Sequence, residues 1–253
     1  MKVICICDHK GGVGKTASAG AIAQGIDARK KPKGKTLLID CDPQGSATKT
    51  LYGLPEDVPG LYNVMIDKVN PLDVIQHTEA GDILPYNKEL SRLDVELNQA
   101  AGKDFYLKKI IDRLNGHYTH IILDTAPGLY VVTVQALTAA DGVLIPINAN
   151  SDGIESLKET YKSILAVKEY TNPQLEILGT FITQYSGRAN VTKQYEELLG
   201  DVSRSLGIKL LKNRVRRSVV IDEARALQTS LFDYAPKAKV TKDYEDLIKE
   251  VKL

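Results

Sequence analysis

Two lysines flank a glycine-rich stretch in DHKGGVGKT, residues Asp8 to Thr16, with Lys10 before Gly11, Gly12 and Gly14 and Lys15 after them. Glycines let backbone N–H groups approach phosphate oxygens with no Cβ in between, and a helix opening at the second lysine adds the partial positive charge of its N-terminus. Lys10, Gly11, Gly12, Val13, Gly14, Lys15, Thr16 and Ala17 are therefore the candidate cradle for a nucleotide's phosphates. Lys15 would reach the β- and γ-phosphates and the Thr16 hydroxyl would bind Mg²⁺. The stretch departs from the G-x-x-x-x-G-K-[ST] pattern at one place, because His9 stands where the first glycine is expected.

A metal beside phosphates needs a carboxylate from another strand end. HIILDTAPG supplies Asp124 after four residues of strand character, the pattern of a Walker B strand. TLLIDCDPQGSAT adds Asp40 and Asp42, and alternate residues at a strand end face the same way, so both can look into the phosphate site. Two roles are open to this pair, supporting the metal shell and holding the attacking water.

The elements that must position these groups follow from periodicity. KVICIC, TLLID, DILPY, HIILD, GVLIPI and LEILGTFIT read as strands, several of them apolar on successive residues as in strands covered on both faces. Between them, Leu107, Ile110, Ile111 and Leu114 form a helical stripe, as do Ile154, Leu157, Tyr161 and Ile164, and Val191, Tyr195, Leu198 and Val202. Strand and helix in alternation predict an α/β fold: a doubly wound, mainly parallel sheet with helices on both faces and ligands at the carboxyl strand ends. There is no repeat and no convincing linker, so one P-loop ATPase domain over residues 1–253 is the expectation.

Composition narrows the rest. A formal net charge of +1 over 253 residues excludes nucleic-acid binding by bulk charge, so any such contact must be a local patch. The basic run RKKPKGK, Arg29 to Lys35, reads as a solvated loop. Cys5, Cys7 and Cys41 lie in apolar runs without metal-type spacing and read as buried thiols of a reducing cytosol. No stretch reaches the length of a membrane span.

Taken together, KGGVGKT, LLIDCDPQGSAT, DILPYNKELSRLDVEL, ILDTAPG followed by ALTAADGVLIPI, and the late VRRSVVIDEA resemble the ParA/Soj-type partition ATPases of the deviant Walker A (MinD/ParA) class, in the same order along nearly the whole chain. The resemblance implies an ATP- and Mg²⁺-dependent ATPase in which Lys10 reaches the nucleotide held by a second copy, so that two chains sandwich two ATP molecules. It further implies that Asp42 positions the hydrolytic water with Asp40 in support. The ATP-bound homodimer would bind double-stranded DNA non-specifically in the cytoplasm, on the nucleoid, and a site-specific DNA-binding partner protein would stimulate slow hydrolysis. Arg188, Lys193, Arg214, Arg216 and Arg217 are the candidate DNA contacts, by resemblance and because KNRVRRS is the densest basic segment of that region.

Departures from the family pattern are also visible. Ala17 replaces a second threonine, Arg216 sits where many relatives carry a proline beside the adenine, and Asn150 replaces a glutamate. With the loop at residue 10 there is no room for an N-terminal helix-turn-helix domain. A membrane-cycling MinD-like ATPase is the main alternative, but the tail TKDYEDLIKEVKL carries acids through its middle and few anchors. The other is a nucleotide-gated scaffold with little hydrolysis.

Overall fold

The computed structural model describes residues 1–29, 35–97, 99–186 and 190–253, so most of the basic run after Arg29 lies outside the described residues. In chain order its strands are β1 (Lys2–Ile6), β2 (Thr36–Cys41), β3 (Gln76–Thr78), β4 (Gly81–Leu84), β5 (His120–Thr125), β6 (Gly142–Ile147) and β7 (Glu176–Ile182). The helices are α1 (Lys15–Arg29), α2 (Leu61–Met65), α3 (Pro71–Val74), α4 (Leu93–Glu96), α5 (Tyr106–Arg113) and α6 (Val131–Ala139). They continue with α7 (Ser151–Tyr170), α8 (Asn190–Ser205), α9 (Val219–Ala226), α10 (Leu231–Tyr234) and α11 (Lys239–Glu250).

The seven strands form one sheet in the order β3-β4-β2-β5-β1-β6-β7. Every pairing is parallel except β3 with β4. The six apolar runs are all strands. β3 is an addition: three polar residues, Gln76, His77 and Thr78, pair at the sheet edge, where no buried face imposes an apolar signature.

Alternation along the strands divides the core into two layers. Ile4, Ile6, Leu38, Ile122 and Leu144 pack toward α1, α10 and α11, whereas Cys5, Cys7, Leu37, Ile39, Leu123 and Val143 pack toward α5, α6 and α7. The three cysteines are free thiols buried in the second layer. Helix α1 is covered on nearly all sides because it is built from small residues. A Cβ at Gly25 would lie 2.5 Å from both Phe232 and Ile248, so only glycine lets α10 and α11 approach this closely.

The predicted stripes of α5 and α7 face the core. In α8 the stripe is rotated by one residue: Leu198 is 46% exposed while its neighbour Leu199 is fully buried, with Tyr195 and Val202 partly covered. Helix α11 buries Val240, Tyr244, Leu247 and Ile248 against the domain. Its apolar side is thus already occupied, unlike that of an interfacial membrane helix. Among the described residues no helix is long and apolar enough to cross a membrane.

Candidate nucleotide site

A cleft of about 480 Å³ opens where the carboxyl ends of β1, β2, β5 and β7 meet, a size that fits a nucleotide. Gly11, Gly12, Gly14, Lys15, Thr16 and Ala17 line it, with Asp42, Gln44 and Pro127 opposite. The backbone turns at Gly12 (φ 75°) and Gly14 (φ 89°), left-handed values that explain glycine at both positions. The Lys15 ammonium lies back over the loop and donates to the carbonyls of Asp8 (3.0 Å) and Lys10 (2.7 Å). Burial pulls its pKa below the usual lysine value, while the Asp8 carboxylate acts in the opposite sense.

Two residues from the end of β7 fix the loop from the other side. The Thr183 hydroxyl donates to the Val13 carbonyl at 2.7 Å and the Gln184 amide to the Gly12 carbonyl at 2.7 Å. Gln184 holds φ 52°, a conformation seldom adopted outside glycine and asparagine.

Lys10 takes a different course from Lys15. It does not line the cleft; its ammonium lies 2.6 Å from Asp152 at the start of α7. Its backbone N–H donates to the Asp8 carboxylate (2.7 Å) and also lies 3.1 Å from Ser156 Oγ. Ser156 in turn donates to Asp8 at 2.6 Å, the His9 N–H donates to Thr160, and the His9 ring contacts Ser163. Asp152, Ser156, Thr160 and Ser163 thus form a polar stripe on α7 that grips Asp8, His9 and Lys10. The apolar stripe of this helix dominates its sequence pattern, although the polar one, with its i, i+4, i+8 spacing, is visible there too. Asn150, whose role the sequence leaves open, caps α7: its side chain accepts from the Gly153 N–H at 2.8 Å.

The three aspartates divide into distinct environments. Asp42 borders the cleft, and its Oδ1 accepts from the Gln44 N–H at 2.9 Å. Asp40 and Asp124 are register partners on β2 and β5, both fully buried. Asp40 is heavily bonded: Oδ2 accepts from the Thr48 N–H (2.8 Å) and hydroxyl (2.7 Å), and Oδ1 from the Asp42 N–H (3.2 Å). Burial still raises it to about 6.

Asp124 has no hydrogen-bond partner on either oxygen. Burial pushes its pKa well above the carboxylate range, the Asp40 charge adds to this, and the Thr16 hydroxyl beside it offsets part of the rise. An orphaned buried carboxyl next to a threonine hydroxyl at the mouth of a phosphate loop fits a hard divalent cation, which would supply the missing partner. Asp40, in contrast, already accepts three hydrogen bonds, from the Asp42 and Thr48 backbone and the Thr48 hydroxyl, and so stands behind Asp42.

The far end of the cleft is built from Val215, Arg216, Arg217, Ser218, Ile221, Asp222, Arg225 and Tyr244. Arg216 is held by Asp243 through Nε (2.6 Å) and Nη2 (2.7 Å). Arg214 pairs with Glu196 at 3.0 Å and lies over the Tyr185 ring. Lys193 and Arg217 are exposed, and among the described residues neither has an ion-pair partner; Lys212 is likewise unpaired at its ammonium. Arg188 lies outside the described residues.

A parallel α/β sheet with this loop and these strand-end carboxylates defines a P-loop nucleotide-binding protein. The AAA domain family model matches residues 1–177. The chromosome partitioning protein ParA of Caulobacter vibrioides is 33% identical over 229 residues, covering 88% of this chain and 84% of that protein. The sporulation initiation inhibitor protein Soj of Bacillus subtilis is 32% identical, covering 88% and 87%. Among solved structures, cobyrinic acid a,c-diamide synthase of Mycobacterium smegmatis, with a bound ATP analogue and magnesium, superimposes with a TM-score of 0.84 at 26% identity, covering 98% of this chain and 93% of that one. The chain belongs to the ParA/Soj family of partition ATPases.

Proposed function

We propose that this single-domain chain is a DNA-partition ATPase that binds ATP with Mg²⁺ and pairs with a second copy across the nucleotide. In that state it binds double-stranded DNA without sequence preference on the nucleoid, and a site-specific DNA-binding protein stimulates hydrolysis. The observation that carries this reading is the separation of the two lysines: Lys15 lies within its own cleft, whereas Lys10 points out of it toward Asp152. A cation that cannot serve its own nucleotide is free to serve a neighbour's, once it leaves Asp152.

Within the site, Gly11, Gly12, Gly14 and the opening turn of α1 offer N–H groups to the phosphates, and Lys15 brings its charge to the β- and γ-oxygens. Thr16 and Asp124 would hold Mg²⁺, which supplies charge neutralisation at the phosphates. Asp42 orients the attacking water, and Lys10 of the second copy meets the developing negative charge. Ala17 offers no hydroxyl at the loop, which lowers phosphate affinity modestly.

DNA binding falls to the cations that are not already neutralised. Arg217 and Lys212 border one basic groove, in which Arg216 is committed to Asp243. Replacing Arg217 and Lys212 with alanine is expected to weaken ATP-dependent DNA binding and to lower the slope of log affinity against log salt by about one per residue removed. Arg216 and Arg217 both line the nucleotide cleft as well, so nucleotide affinity is measured for each variant alongside DNA binding. Filter binding or fluorescence anisotropy across a salt series, with and without ATP, checks this; an unchanged slope in the double variant would place the interface elsewhere.

A further inference from the structure

The segment that follows Asp42 closes into a single π-helical turn, Ala47–Leu51. π-turns are rare and concentrate at functional sites. Thr48 within it is fully buried, and its hydroxyl both donates and accepts. The hydroxyl donates to Asp40 Oδ2 (2.7 Å) and accepts from the Tyr86 N–H (2.8 Å), just past the end of β4. The Thr48 N–H donates to the same carboxylate oxygen at 2.8 Å. The other oxygen of Asp40 takes the Asp42 N–H, so one carboxylate ties the start of the loop to its end.

The loop between these anchors has little room to move. The Gly45 N–H donates to the Asp42 carbonyl at 2.8 Å, and a Cβ at Gly45 would lie 2.2 Å from the Tyr86 ring. Asp42 is thus carried by a short bridge whose two ends meet at Asp40, with Thr48 as the keystone to the neighbouring strand.

We propose that Thr48 is a positioning residue for hydrolysis: through Asp40 and the Tyr86 backbone it holds the Asp42 loop, and hence the Asp42 carboxylate, at the place where the attacking water must be held. This rests on the reading of Asp42 as the water-holding group. Valine matches threonine in shape but offers no hydroxyl. Thr48→Val therefore leaves the Tyr86 N–H and one lone pair of Asp40 without partners in the interior, and releases the loop. A displacement on the order of 1 Å at a group that orients a reactant lowers rate by about 100-fold.

The test compares wild type, Thr48→Val, Thr48→Ser and Asp42→Ala in full-length protein, measuring affinity for a fluorescent ATP analogue with Mg²⁺ and single-turnover hydrolysis of ATP. The expected result is a 10- to 100-fold slower hydrolysis in Thr48→Val, about the range of such misplacements, with affinity near wild type, a thermal midpoint lowered by several degrees by the two lost buried hydrogen bonds, and recovery of most of the rate and of the midpoint in Thr48→Ser. If Thr48→Val does not fold, Thr48→Ala carries the same expectation. Wild-type hydrolysis in the folded Thr48 variant beside an inactive Asp42→Ala overturns the positioning role alone. Wild-type hydrolysis in Asp42→Ala overturns the reading on which it rests. Equal loss of affinity and rate, not recovered by serine, overturns the proposal in favour of a structural role.

Discussion

Lys15→Ala is expected to abolish measurable ATP binding, an affinity loss of at least about 100-fold. Ion-to-phosphate hydrogen bonds are among the strongest a side chain makes, and alanine removes the ammonium that, among the described residues, lines the cleft. The loss goes beyond one charge. The same ammonium spans the carbonyls of Asp8 and Lys10, and those bonds hold the glycine turn closed upon itself. Without them the carbonyls at the loop's base have no donor and the backbone N–H groups are less well aimed. Titration with a fluorescent ATP analogue in the presence of Mg²⁺ checks this. Retained micromolar affinity in a folded Lys15→Ala protein would count against the phosphate-loop assignment.

Asp42→Ala carries the second large effect, on rate and not on affinity. Asp42 borders the cleft opposite the loop, and among the described residues its carboxylate makes a local turn contact to the Gln44 N–H. Its removal leaves the phosphate cradle intact but takes away the group proposed to orient water. A positioned base or water-orienting group contributes about 10²- to 10⁴-fold, so hydrolysis should fall by at least about 100-fold while ATP binding persists. The variant should accumulate as an ATP-bound, DNA-competent pair. Phosphate-release assays together with DNA retention at fixed ATP test both halves; hydrolysis at the wild-type rate would remove Asp42 from the mechanism.

Much of this arrangement is legible in the residues because the chemistry sits at strand ends. A buried parallel strand announces itself as an unbroken apolar run, so the polar residues at its end, Asp40, Asp42 and Asp124, are located by the strand itself. β3 escapes such reading because an edge strand of three polar residues carries no apolar pattern. The rotation of α8 escapes it because Leu198 and Leu199 are chemically identical and tertiary packing alone selects the second.

Pairings between distant segments were the least accessible part. Nothing local marks Arg216 as the partner of Asp243, or Lys10 as the partner of Asp152, 142 residues away. The first pairing moves the DNA-binding assignment toward Arg217 and Lys212. The second shows Lys10 occupied within its own chain, so its transfer to a neighbour must compete with an exposed ion pair, an interaction worth little in water. Alternation along β2 makes Asp40 a candidate for the metal shell, yet Thr48 and the Asp42 backbone already donate three hydrogen bonds to it, a commitment that depends on the fold of the loop that follows.

The central claim is that two copies close over bound nucleotide, each supplying Lys10 to the other. Light scattering coupled to size exclusion, on wild type and Lys10→Ala saturated with a non-hydrolysable ATP analogue and Mg²⁺, tests it most directly. The account predicts twice the monomer mass for wild type and the monomer mass for Lys10→Ala, with equal nucleotide occupancy in both. A wild-type protein that stays monomeric when saturated, or a Lys10→Ala protein that pairs normally, would contradict it.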